Sequence, residues 1–157
     1  MLSTKIKILL ADDDEDDCML FKEVIDESQL QVKVELVHNG IKLMELLNKA
    51  VEEDLELPNA LFLDLNMPLK NGYCCLEEIK TDMRLRHLPV IIYSTSMISS
   101  NVNKIFEIGA HYYICKPVDF DKLKKAIIHA ISLILNNPAS QPSRDGFLLS
   151  DSKSLLF

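Results

Sequence analysis

The sequence predicts an α/β fold in which five parallel strands form a sheet covered by helices on both faces. Three observations predict it: five short apolar runs, helical stripes between them, and two runs that are apolar almost throughout. Continuous apolarity is expected of strands buried on both sides. The runs are KIKILLA (5–11), VKVELV (32–37), ALFLD (60–64), VIIYS (90–94) and YYIC (112–115). Cys18, Phe21 and Ile25 make the first helical stripe, and Leu43, Leu46, Leu47 and Ala50 the second. Two weaker helices are expected over 72–83 and 99–108. Leu123, Ile127, Ala130, Ile131 and Ile134 recur at spacings of three and four and make the last stripe. Asn39 and Asp119 suit helix N-caps, while Gly109 and Pro138 stand where helices should stop. Strictly alternating strands and helices favour parallel pairing through crossover connections.

The 157 residues fit one domain, and 48% hydrophobic residues suffice for a core. Lys and Arg number 17 against 24 Asp and Glu, a net charge of −7 that argues against direct nucleic-acid binding. Cys18, Cys74, Cys75 and Cys115 lack metal-ligand spacing and read as packing residues in a reducing compartment. No apolar stretch is long enough to span a membrane, and Lys5 and Lys7 break the pattern of a secretory signal. A cytoplasmic protein without membrane contact is expected. Residues 1–136 form the predicted domain. Residues 137–157 form a tail, with Phe147, Leu148, Leu149, Leu155, Leu156 and Phe157 as apolar anchors and no further domain.

In sheets of this kind, chemistry gathers beyond the carboxyl ends of the strands. The first strand ends in ADDDEDD, the third in LFLDLNMP, the fourth in IIYSTS and the fifth in YYICKP. Asp12, Asp13, Asp64, Ser94 and Lys116 therefore converge on one edge. Each alone has an ordinary structural role; together they suit phosphoryl chemistry. Carboxylate oxygens suit Mg²⁺, a carboxylate can attack phosphorus, and an ammonium can neutralise phosphoryl oxygens.

These motifs resemble the receiver domain of bacterial two-component response regulators, in its stand-alone form. The resemblance covers about residues 5–136 and implies a (βα)5 doubly wound sheet, flavodoxin-like and CheY-like, in the order 2-1-3-4-5. It implies a phosphoacceptor signalling domain, not an enzyme, receiving its phosphoryl group from a sensor histidine kinase or phosphotransfer protein. Asp64 would be the phosphoacceptor. Mg²⁺ would be held by Asp12, Asp13, Asp64 and the backbone carbonyl of Asn66. Lys116 would bind the phosphoryl group, and Ser94 and Tyr113 would form the switch. The Lys116–Pro117 bond would be cis, and Met67, Pro68 and Gly72 would fit the turn after the phosphoacceptor. Readout would use the fourth helix, fifth strand and fifth helix. Val102, Ile105, Phe106, Ile128 and Leu135 make that face look apolar, so it should pair with a second copy as a homodimer or lie under the tail. Asn66 and Ser96 stand where such domains tune phosphoryl lifetime, and Thr95 is bulky enough to narrow access to Asp64.

Other readings explain less. Asp12, Asp14, Asp16 and Glu23 match a calcium-loop template, but Asp17 stands where the turn needs glycine. A phosphohydrolase would want a hydroxyl or apolar residue at Asp16, and an FMN carrier would not place six acids at its phosphate loop. A phosphate sink or a phosphorylation-independent scaffold is the alternative within the same fold. His38, His87, His111 and His129 read as surface or packing residues.

Overall fold

Strands and helices alternate along the chain in a computed structural model that describes residues 5–95, 99–138 and 140–149. The elements are β1 (Ile6–Ala11), α1 (Glu15–Ser28), β2 (Val32–Val37), α2 (Gly40–Glu52), β3 (Ala60–Leu63), α3 (Gly72–Thr81), β4 (Val90–Ser94), α4 (Ser99–Ile108), β5 (Tyr112–Cys115) and α5 (Phe120–Asn136). All pairings between them are parallel, in the order β2-β1-β3-β4-β5. Strand boundaries match the apolar runs within one residue, and the two weak helices lie where the gaps required them. Ser96 and the expected anchors Leu155, Leu156 and Phe157 lie outside the described residues.

Alternation along the strands divides the core in two. Leu9, Ala11, Leu61, Leu63, Val90 and Ile92 face α2, α3 and α4. Ile8, Leu10, Phe62, Ile91, Tyr93 and Ile114 face α1 and α5. On the second face Phe21, Phe62 and Tyr93 meet edge to face, with ring centroids 4.9 to 6.1 Å apart. Such pairs add about 0.5–1.5 kcal/mol each beyond the area they bury.

Side-chain caps start the helices. Asp14 accepts from the amides of Asp16 and Asp17, so half of the acidic run is the first turn of α1 with its carboxylates at the positive end of the helix dipole. Asn39, Asn71 and Asp119 cap α2, α3 and α5 in the same way. Gly109, at φ +127°, ends α4 in a backbone conformation that L side chains avoid.

The apolar face expected to pair with a second copy or lie under the tail is covered in part by the tail. Val102 and Ile105 belong to the core, Ile128 is partly buried, and Phe106 meets Phe147 of the following segment. Residues 141–149 run beside α4 and β5, and Leu148 bridges to Tyr113 in parallel. Leu135 alone of the five stays exposed.

His111 precedes β5, and its amide donates to the Val90 carbonyl. Burial and the nearby Lys80 ammonium push its imidazole down to about 4. The folded state therefore favours the neutral ring. The stability tied to that preference is complete above the unfolded value near 6.5 and is lost as pH falls toward 4. Urea midpoints at pH 7 and pH 4.5 should separate wild type from His111→Leu. Wild type should lose up to about 3 kcal/mol more across that interval. Equal losses would contradict the assignment.

Candidate functional site

Four adjacent strand ends and the first turn of α1 build the site. The Asp12 amide donates to Val37 O at 3.0 Å and the Asp64 amide to Ala11 O at 2.9 Å, fixing both acids by extending the β1 ladders. Asp12 is fully buried and Asp64 is 6% exposed, while Asp13 faces solvent. Their carboxylates come together: Asp12, Asp13 and Asp64 each offer an oxygen, all within 4.8 Å of one another. Three hard oxygen donors at this spacing suit a small divalent cation.

Lys116 is the cation of the site, with its side chain only 6% exposed. Its Nζ donates to Asp12 Oδ2 and to Asp17 Oδ2, both at 2.7 Å, and stands 3.8 Å from Asp64 Oδ2. The ammonium also lies 4.8 Å from the centre of the buried Tyr93 ring. Burial alone would lower its pKa, but the bonds to Asp12 and Asp17 and the Asp64 charge hold it above the usual lysine value. Lys116 is thus a fixed positive charge. No peptide bond among the described residues is cis, which corrects the expectation for Lys116–Pro117. The trans bond suffices, because the Lys116 amide is tied to Ser94 O at 2.8 Å and the long side chain spans the remaining distance.

Asp64 is pushed up to about 6, chiefly by burial, with Asp12 adding to the rise. Lys116 and the Asn66 amide, which donates to Asp64 Oδ1 at 3.2 Å, act against it. The group is therefore an anion at neutral pH, but a poorly solvated one. Asn66 touches the acid through its amide; its carbonyl is the expected metal ligand. Ser94 ends β4 with its side chain fully buried, and Tyr113 lies one strand further, 1% exposed. Thr95 is exposed.

The loop from Asp64 to α3 is pressed against the site. Gly72 donates to Leu65 O at 2.9 Å, and a Cβ placed on it would lie 2.1 Å from the Asp64 carbonyl oxygen. Glycine is required there by close approach of backbone.

Two residues of the site were not anticipated. Asp17 is an equal partner of Lys116, and only its place three residues after the Asp14 cap could have hinted that it turns back toward the sheet edge. The His38 Nδ1 lies 3.0 Å from the Asp12 carbonyl, which makes this histidine a brace for the acid loop. Cys18 Sγ reaches the same carbonyl at 3.5 Å, and burial raises its thiol to about 11, consistent with an inert packing role.

A sheet in this order, with acids from β1 and β3 facing a lysine from β5, defines a phosphoryl-signalling α/β domain. The family model described as "Response regulator receiver domain" matches residues 8–128, and the chain belongs to that family. It is 31% identical over 121 residues to response regulator Rcp1 of Synechocystis sp., covering 76% of this chain and 82% of that protein. It is 27% identical over 120 residues to the probable methanogenesis regulatory protein FilR2 of Methanothrix harundinacea, with 76% and 77% covered. Among solved structures, that of the phosphorylated cyanobacterial phytochrome response regulator RcpA aligns with a TM-score of 0.75 at 29% identity, over 89% of this chain and all of that one. The Mn²⁺-bound form of Rcp1 aligns at 0.73 and 29%, over 88% and 99%. The chain is thus a two-component receiver that signals through phosphorylation, a signalling domain and not a catalytic enzyme. No helix among the described residues is long and apolar enough to cross a membrane.

Proposed function

We propose that Asp64 accepts a phosphoryl group from the phosphohistidine of a sensor kinase or phosphotransfer protein in the cytoplasm, and that Ser94 and Tyr113 convert its arrival into a change of surface. The observation that carries this reading is the buried Asp64 carboxylate, 3.8 Å from Lys116 and within 4.8 Å of the oxygens of Asp12 and Asp13. Asp12, Asp13, Asp64 and the Asn66 carbonyl would hold Mg²⁺, which when bound neutralises charge on the transferred group. The carboxylate oxygen of Asp64 attacks phosphorus as the bond to the donor imidazole breaks, and the imidazole keeps the electron pair and takes a proton. Lys116 positions one phosphoryl oxygen and screens its charge. Water later cleaves the acyl phosphate, so the signal resets without a second enzyme. Exposed Met19 on α1 and Val118 after β5 stand two residues beyond Asp17 and Lys116 and suit docking of a helical donor. A homodimer through α4, β5 and α5 would meet residues 141–149, which lie along β5.

Intact mass after incubation with Mg²⁺ and a small phosphodonor tests the assignment. Wild type should gain one phosphoryl group, and Asp64→Asn should gain none. An adduct that persists in the variant, or one indifferent to chelator, would defeat it.

A further inference from the structure

The β5 edge has an occupant. The Tyr113 amide donates to Phe147 O at 3.0 Å, and the Leu149 amide donates back to Tyr113 O at 2.9 Å, so the segment adds to the sheet as a parallel strand does. Phe147 is fully buried, with ring centroids 5.1 Å from Phe106 and 6.3 Å from Tyr113. Gln141 Nε2 donates to the carbonyls of Phe106 and Ala110, satisfying acceptors at the end of α4. Arg144 bonds Asn103 Oδ1 at 2.8 Å and lies 5.8 Å from the Phe147 ring.

We propose that the α4–β5 edge is a strand-addition surface whose resident ligand is this chain's own segment 141–149, and that the seated segment and the phosphoryl group on Asp64 favour the same buried state of Tyr113. The second half rests on the reading of Asp64 and Tyr113 given above. With the segment seated, Tyr113 is 1% exposed. Its ring can reach solvent only if α4 lifts or Phe147 withdraws. Lifting α4 would uncover Val102 and Ile105, whereas withdrawing Phe147 releases one aromatic and a few polar bonds. Because lifting α4 uncovers more of the core than withdrawing Phe147, a solvent-facing Tyr113 disfavours the seated segment. Anything that excludes the outward state adds to the population of the inward one, and linkage makes the effect reciprocal. An external partner using this edge is an extended peptide with an aromatic side chain, and it must compete with 141–149.

The test uses the full chain, its Phe147→Ala variant, a fluorescein-labelled peptide of residues 140–149, and beryllofluoride with Mg²⁺ as phosphoryl mimic. The peptide should bind the variant saturably and wild type at least tenfold more weakly. Beryllofluoride should bind the variant at least fivefold more weakly than wild type, and added peptide should restore the difference. A Gln141→Ala, Arg144→Ala chain, altered only at the surface, should shift both readouts the same way by a smaller factor and covers the case of a misfolded Phe147→Ala. Equal peptide binding by variant and wild type overturns the resident-ligand assignment. Equal beryllofluoride affinity overturns the coupling. Failure of wild type to take any Mg²⁺-dependent phosphoryl adduct by mass would instead be a failure of Asp64 as acceptor, and the peptide measurement would still decide the seat.

Discussion

Lys116→Met should slow phosphoryl transfer to Asp64 by about 10²–10³-fold, the scale of losing one preorganised charge at a reacting centre. It should also destabilise the metal-free chain at neutral pH. The ammonium compensates a fully buried Asp12 and a half-buried Asp17, and stands 3.8 Å from Asp64. Removing one side of a buried ionic cluster costs about 3–5 kcal/mol, because carboxylates remain that neither water nor a partner stabilises. The sign with pH follows from Asp64, whose pKa already lies near 6 with the lysine present. Without it the folded value rises further above the unfolded one. A carboxyl raised in this way contributes stability that is complete below about 4 and disappears as pH climbs through the folded value. The variant should therefore recover stability between pH 7 and pH 5, seen as a rising urea midpoint, and added Mg²⁺ should restore part of the deficit at pH 7. A pH-independent deficit would show that Lys116 matters through packing of its stem alone. Asp17→Asn keeps an acceptor for Lys116 and should lose far less.

Gly72→Ala should lower stability and phosphoryl acceptance together. Alanine is the better helix former, by about 1 kcal/mol in a helix interior, so propensity alone favours the substitution. Geometry decides otherwise. The added carbon would fall 2.1 Å from Asp64 O and 2.9 Å from Leu65 Cα, atoms of backbone that cannot rotate away. Overpacking of this kind costs about 1–3 kcal/mol or more, a large share of the roughly 5–15 kcal/mol that holds a domain together. The shift needed to relieve it moves Asp64 itself, so phosphoryl acceptance should fall along with the melting temperature. Gly146→Ala is the control: its Cβ would meet nothing nearer than 3.8 Å, and its stability should stay within about 0.5 kcal/mol. Equal effects at the two positions would refute the close-approach argument.

The sheet was legible because a parallel strand buried on both faces leaves an unbroken apolar run, and ALFL and VIIY are short and set between helical stripes. The caps were legible at Asn39 and Asp119 because a short polar side chain before an apolar stripe has one common use. The acids, Ser94 and Lys116 could be gathered at one edge because each follows a strand directly. Asp17 and His38 were not legible in the same way. The first depends on how α1 leans toward β5, and the second on Val37 pairing with Ala11, neither of which leaves a periodic trace. Phe147 was recognised as an anchor and the α4–β5–α5 face as one place for the tail, but the register along β5 was not legible. A single aromatic on a non-periodic segment carries no register, and only the sheet edge it meets supplies one.

The two rims of the sheet differ in how they resist neighbours. β2 alternates exposed Lys33 and Glu35 with partly buried aliphatics, so another chain pairing there would have to desolvate charges. β5 reads YYIC, without a charge, a proline or a bulge to blunt it. What covers it against edge-to-edge pairing is the peptide laid along it, which occupies the Tyr113 amide and carbonyl that another strand would use. Removing residues 141–149 should therefore leave this rim open to pairing with other chains, read as concentration-dependent light scattering that the full chain lacks.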